Sequence, residues 1–227
     1  MIYTVISDAF SRKIDNINKE DCRILRQPLP VLPDEILDYI NKTNNECLRA
    51  ERFRAYTSLF ASFCAFFGVE NAKIERNENG KPYFVPECGI FFSISHSDGA
   101  VAIVLSDEGE VGVDIQSEIS EEREKRLKKR FIKDVMTEAK KESKCFFMSI
   151  EDGECLLCKI LPNKSPDVFT KQWTVAESLI KLTSDGFSAI NKIDESALPY
   201  SVENFCFAME DIIYFVSVAS GEAYFNK

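Results

Sequence analysis

From Phe92 to Gln116 the chain reads FSISHSDGAVAIVLSDEGEVGVDIQ, and these apolar runs with their short polar breaks constrain the fold more than any other stretch. The run from Ile90 to Ile94 predicts a strand ending in Ser95-His96-Ser97-Asp98-Gly99, which places the only histidine of the chain in a turn, within reach of a ligand. Ala100 to Leu105 and Val111 to Ile115 predict two more strands, with Ser106-Asp107-Glu108-Gly109-Glu110 as a short hairpin connection. In the last strand alternation sends Val111, Val113 and Ile115 to one face, and Gly112, Asp114 and Gln116 to the other. A carboxylate thus projects from a buried strand, where it stays charged only if it is paired or metal-bound.

The 227 residues, 45% of them hydrophobic, suffice for one large domain or two intimately packed halves. A net charge of −9 argues against general nucleic-acid binding, so any anionic ligand needs a local basic pocket. The N-terminal MIYTVISDAFSRK lacks the basic start and long apolar segment of a signal peptide, and no run reaches transmembrane length. Eight cysteines in such a chain are expected as reduced thiols of a cytoplasmic protein. Cys155 and Cys158 fall on opposite faces of an expected strand with no second cysteine pair nearby, so buried thiols are expected there rather than zinc.

Ile2 to Ser7 predicts a strand, and Asp34-Glu35 opens a helix after the prolines at 28, 30 and 33. A longer helix carries Phe53, Tyr56, Phe60, Phe63, Cys64 and Phe67 at steps of three and four, with Gly68 as its stop. Arg49, Arg52 and Arg54 crowd its start, as a solvated face or as a phosphate-binding patch. Asn79-Gly80-Lys81-Pro82 predicts a turn that holds Lys81 on a rigid corner. The charged stretch from Glu118 to Lys144 predicts helices with a solvated face, lying on a core through Leu127, Phe131 and Val135. A hairpin is expected over 145–161.

Val168 to Thr183 predicts a helix with Val175, Ala176, Leu179, Ile180 and Leu182 on one arc and Glu177 and Lys181 together at its border. Those two residues are either a surface ion pair or part of a site. Val202 to Tyr224 returns to strands, with Met209-Glu210-Asp211 as the turn. The expected class is α+β with mostly antiparallel sheets, because hairpin-length connections dominate.

His96, Asp114, Gln116, Glu177 and Lys181 are the polar candidates. Two carboxylates and an amide offer hard oxygen ligands that suit Mg²⁺ completed by phosphate oxygens and waters, while histidine and lysine serve the phosphates. Nothing resembles a phosphate-binding Walker loop, a GxSxG nucleophile elbow or a zinc cluster.

Gly80-Lys81-Pro82, Phe92-Ser-Ile-Ser-His-Ser97, Val111-Gly-Val-Asp-Ile-Gln116 and Trp173-Thr-Val-Ala-Glu-Ser-Leu-Ile-Lys181 together resemble the 4′-phosphopantetheinyl transferases, in particular the monomeric surfactin-synthetase-activating type. The resemblance implies transfer of phosphopantetheine from coenzyme A to a serine of an acyl or peptidyl carrier protein, with Mg²⁺ on the pyrophosphate and release of adenosine 3′,5′-bisphosphate. It implies two similar halves, residues 1–110 and 111–227, related by a pseudo-twofold with the cofactor cleft between them. Carried over by position, Asp114, Gln116 and Glu177 would face the metal and Glu177 would help deprotonate the carrier serine. Lys181 would contact the pyrophosphate. Ser95, His96 and Lys81 would hold the nucleotide end of coenzyme A with His96 on a phosphate, and Arg49 and Arg52 would take the 3′-phosphate.

The chain departs from the family pattern at Gln116, commonly glutamate, at Ala176, commonly a basic residue, and at Ser184-Asp185-Gly186, where a negative charge replaces a positive one. Two other readings therefore stay open. One is a catalytically weakened coenzyme A-binding interaction module; the other is a Mg²⁺-dependent nucleotide phosphohydrolase using the same acids.

Overall fold

In the computed structural model residues 1–9, 14–15, 30–69, 72–85, 88–131, 168–184 and 200–221 are described, and the long apolar segments among them become elements. The strands are β1 (Ile2–Asp8), β2 (Ile14–Asp15), β3 (Lys73–Arg76), β4 (Pro82–Val85), β5 (Phe91–Ser97), β6 (Ala100–Ser106), β7 (Val111–Ser117), β8 (Tyr200–Met209) and β9 (Ile212–Gly221). The helices are α1 (Asp34–Asn41), α2 (Glu46–Phe67), α3 (Glu121–Phe131) and α4 (Val168–Thr183).

Helix α2 begins where the Asn45 side chain accepts the Leu48 N–H at 3.0 Å and ends at Gly68, whose φ of 69° is the left-handed cap that glycine adopts without strain. The helix α4 has the bounds its apolar arc predicts. All backbone pairings among the described strands are antiparallel, and the chain is α+β as expected.

β1, β6 and β5 form one sheet in that order, and β2, β8, β9 and β7 form a second. β6 is buried along its whole length because both of its faces are covered. Val101, Ile103 and Leu105 join Leu59 and Phe63 of α2, while Ala102 and Val104 join Val111, Val113 and Ile115 of β7. On the far side of β7, Val175, Leu179 and Leu182 of α4 pack over the second sheet with Ala219.

Two expectations are corrected. β5 runs on through Ser95, His96 and Ser97, so the histidine lies on a strand, not in a turn. The turn is the two-residue Asp98-Gly99, both with positive φ (45° and 85°), as a tight hairpin between right-twisted strands requires. β6 and β7, secondly, do not form a hairpin. β6 already pairs on its two edges with β1 and β5, so the chain after Ser106 crosses to the other sheet, where β7 pairs with β9.

β5 and β7 nevertheless meet. Ser93 Oγ accepts the Val113 N–H at 3.1 Å, Ser95 Oγ accepts that of Ile115 at 3.2 Å, and Ser97 Oγ accepts that of Ser117 at 3.2 Å. The two strands run parallel along this seam, and serine hydroxyls stand where a ladder would put carbonyls. The expected hairpin over 145–161, Cys155, Cys158, Asp185 and Gly186, and the expected helical stretch from 132 to 144 lie outside the described residues. Among the described residues no helix is long and apolar enough to cross a membrane.

Candidate active site

Asp114 sits midway along β7 with no exposed surface. Its Oδ1 accepts from Ser95 Oγ at 2.7 Å and from the Lys181 ammonium at 2.7 Å, and its Oδ2 accepts from Gln116 Nε2 at 3.0 Å. Lys181 also donates to Ser95 Oγ at 2.8 Å. The alternation of β7 puts Asp114 and Gln116 on one face, the i, i+4 spacing of α4 puts Glu177 beside Lys181, and the packing of α4 on β7 brings the four to one place. Ser95 joins them from β5.

Close approach of α4 to β7 depends on Gly112. A Cβ at this position would lie 2.0 Å from the Ser178 carbonyl oxygen and 2.6 Å from the Leu182 nitrogen, so any side chain would push the helix away.

Glu177, half-buried one turn before Lys181, has its carboxyl pushed up from 4.5 to about 8. Burial is the main cause and the negative charge of Asp114 the next, with Lys181 opposing both. Two acids that cannot both ionise cheaply are a place where a divalent cation is stabilised.

Gln116 turns its amide nitrogen to Asp114 and, at 3.5 Å, to Glu177, while its oxygen accepts from the Arg123 guanidinium at 3.3 Å. The Asp114 carboxylate, 3.0 Å away and able only to accept, assigns the nitrogen to that side. Among the described residues no group of three or more His, Cys, Asp or Glu side chains is arranged to hold a metal ion. Asp114 and Glu177 are two carboxylates of the kind that a Mg²⁺ site uses when ligand phosphates and water would supply its remaining positions.

Beside this cluster a cleft of about 330 Å³ is lined by His96, Gln116, Arg123, Asp98, Glu51 and Asn45 among others. His96 Nδ1 lies 2.8 Å from Glu51 of α2, a residue that sequence reasoning passed over. A signal existed. Glu51 stands at four-residue steps from Ala55, Leu59 and Phe63, all fully buried, and a carboxylate in such a stripe needs a partner. Arg123 likewise read as one charge in a solvated run.

The remaining candidates lie apart from the carboxylates. Lys81 binds Glu110 at 2.5 Å and the carbonyls of Leu182 and Val111 at 3.1 and 3.4 Å, so it caps the C-terminal end of α4. Arg49 is 4.0 Å from Glu46, and Arg52 stacks 4.7 Å over the Tyr39 ring.

No family model matches the chain. A 39-residue stretch is 56% identical to 4′-phosphopantetheinyl transferase AcpT of Escherichia coli K12, covering 17% of this chain and 20% of that protein. The same named protein of Salmonella typhimurium is 51% identical over 39 residues. These matches thus span about a fifth of the relatives' length. A longer similarity, 24% identical over 197 residues, covers 79% of this chain and 76% of 4′-phosphopantetheinyl transferase HetI of Nostoc sp.. These similarities support the phosphopantetheinyl transferase family. A phosphopantetheinyl transferase reading also accords with a buried carboxylate paired with a lysine, a second acid of raised pKa and a cleft whose lining includes His96 and Arg123 beside Glu51 and Asp98.

Proposed function

We propose that this protein transfers the 4′-phosphopantetheine group of coenzyme A to a serine of an acyl or peptidyl carrier protein, with Mg²⁺, releasing adenosine 3′,5′-bisphosphate. The observation that carries the proposal is the convergence of Ser95, Asp114, Gln116, Glu177 and Lys181 from three elements beside a cleft lined by His96 and Arg123. Asp114 and Glu177 would hold the Mg²⁺, with Gln116 beside them, and the bound ion would neutralise the pyrophosphate and the charge that grows on the leaving phosphate.

The residues of the chain do the rest. Lys181, already 2.7 Å from Asp114, presents its ammonium to the pyrophosphate and stabilises the leaving group. Ser95 fixes both members of that pair and keeps the lysine from swinging away. Glu177 keeps its proton up to about pH 8 in the metal-free protein; with Mg²⁺ bound it would be ionised, and in that form it would take the proton of the carrier serine. His96, Ser95, Arg49, Arg52 and Lys81 complete the proposed contacts with coenzyme A, Lys81 by exchanging Glu110 for a phosphate.

The proposal includes a cytoplasmic monomer of the surfactin-synthetase-activating type, with halves at 1–110 and 111–227 related by a pseudo-twofold and the cofactor between them. The amide nitrogen of Gln116, which faces the carboxylates, favours one second reading, a coenzyme A-binding module of weakened catalysis. Incubation of an unmodified carrier protein with coenzyme A, Mg²⁺ and this protein separates the two: a mass increase of one phosphopantetheine supports transfer, and an unchanged mass with bound coenzyme A supports the module.

A further inference from the structure

Glu51 lies in the first half of α2, only 7% exposed, and spends its two carboxylate oxygens on different partners. Oε1 accepts the Gly99 N–H of the β5–β6 turn at 2.6 Å, and Oε2 lies 2.8 Å from Nδ1 of His96. A carboxylate can only accept here, so this contact puts a proton on Nδ1. The histidine side chain is 31% exposed and lines the cleft, with Nδ1 turned inward to α2. The edge left facing the cleft carries Nε2.

We infer that Glu51 is a positioning residue: it fixes the ring of His96 with Nδ1–H on α2 and Nε2 in the cleft, so that Nε2 is the nitrogen an arriving phosphate meets. A neutral ring with its proton on Nδ1 offers only a lone pair at Nε2, which repels an anion. The same ring accepts a second proton when the anion arrives, and both of its N–H groups then have an acceptor, one on Glu51 and one on the ligand. Asp98 and Arg123 also line the cleft, and Arg123 supplies a second cationic group for the same anion. By gripping Gly99 as well, Glu51 ties the turn that ends β5 to α2, which holds the backbone of His96 at a fixed distance from the helix. The ligand class, a phosphate of coenzyme A, rests on the function proposed above; the role of Glu51 toward His96 does not.

Because His96 is the only histidine, its two nitrogens can be read without ambiguity in a long-range ¹⁵N–¹H spectrum of histidine-labelled protein. In the wild type at a pH where the ring is neutral, the expected form is Nδ1–H, the minor tautomer of free histidine, and addition of coenzyme A with Mg²⁺ converts it to the imidazolium. A wild-type ring in the Nε2–H form overturns the inference, and this needs no variant to fold. Glu51→Ala is expected to return the ring to the Nε2–H form and to weaken coenzyme A binding on the order of ten- to a hundredfold, the loss of one charge-assisted hydrogen bond. In a His96→Ala background the same change is expected to cost no further affinity, whereas a purely structural role predicts the same loss in both backgrounds and overturns the inference. Failure of the wild type to bind coenzyme A, with the ring in the Nδ1–H form, upholds the role of Glu51 and overturns the proposed function.

Discussion

The Lys181 ammonium lies 2.7 Å from Oδ1 of Asp114, and the carboxylate has no exposed surface while the lysine side chain is 30% exposed. Removal of the lysine leaves a buried charge without its main counter-ion. Lys181→Ala is expected to lower stability by roughly 2–3 kcal/mol, below the usual cost of breaking a fully buried pair because water reaches the lysine. Urea denaturation measures this, and a loss under about 0.5 kcal/mol would mean that Asp114 is adequately held by Ser95 and Gln116 alone.

Gly112→Ala tests how closely α4 must approach. With a Ser178 oxygen 2.0 Å from the new Cβ, the helix has to move and carry Glu177 and Lys181 away from Asp114. A loss of about 1–3 kcal/mol is expected, together with a fall in coenzyme A affinity. Unchanged stability and affinity would show that the helix does not sit this close.

The serine seam separates structure from chemistry. Ser93→Ala removes only the acceptor of the Val113 N–H, so about 1–3 kcal/mol of stability should be lost with transfer intact. Ser95→Ala removes the Ile115 acceptor together with contacts to Asp114 and Lys181, so stability and transfer should fall together. Equal activities in the two variants would contradict the division.

Parts of this site were legible in the sequence, and parts were not, for physical reasons. The alternation around Asp114 and the spacing of Glu177 and Lys181 survive folding because β7 turns its apolar residues to β6 and its polar ones to α4, and a slip of one residue would exchange the two sets. The seam left only serines at 93, 95 and 97, and nothing in alternating serines names a partner strand 20 residues further on. Connection length suggested a β6–β7 hairpin, but strand pairing is decided by which edges remain open, and β1 had closed that one. Glu51 was hidden because a single carboxylate in an otherwise mixed helix looks solvated until the buried stripe is drawn through it.

The raised pKa of Glu177 gives a pH signature. In the metal-free protein the folded state holds this proton up to about pH 8, whereas the unfolded chain releases it near 4.5, so between those values the folded state binds more protons and stability falls as pH rises. Glu177→Gln should flatten that part of the profile measured in a chelator. Added Mg²⁺ should stabilise the wild type more at pH 8 than at pH 6, because the ion needs the ionised acid. A profile equally steep in both proteins would assign the proton elsewhere.

Gln116→Glu places a third carboxylate beside Asp114, Glu177 and Arg123. The expected result is a tighter Mg²⁺ site and a lower Mg²⁺ concentration for half-maximal transfer. A variant whose Mg²⁺ dependence matches the wild type would mean that the new carboxylate pairs with Arg123 and turns from the metal.

The central claim is that the Asp114, Glu177 and Lys181 cluster transfers phosphopantetheine. Intact-mass measurement of an acyl or peptidyl carrier protein, incubated with coenzyme A, Mg²⁺ and either wild type or Asp114→Ala, tests it most directly. The account predicts that the carrier serine gains one phosphopantetheine with the wild type and none with the variant. An unmodified carrier with the wild type, across both carrier classes, would contradict it, as would full modification by Asp114→Ala.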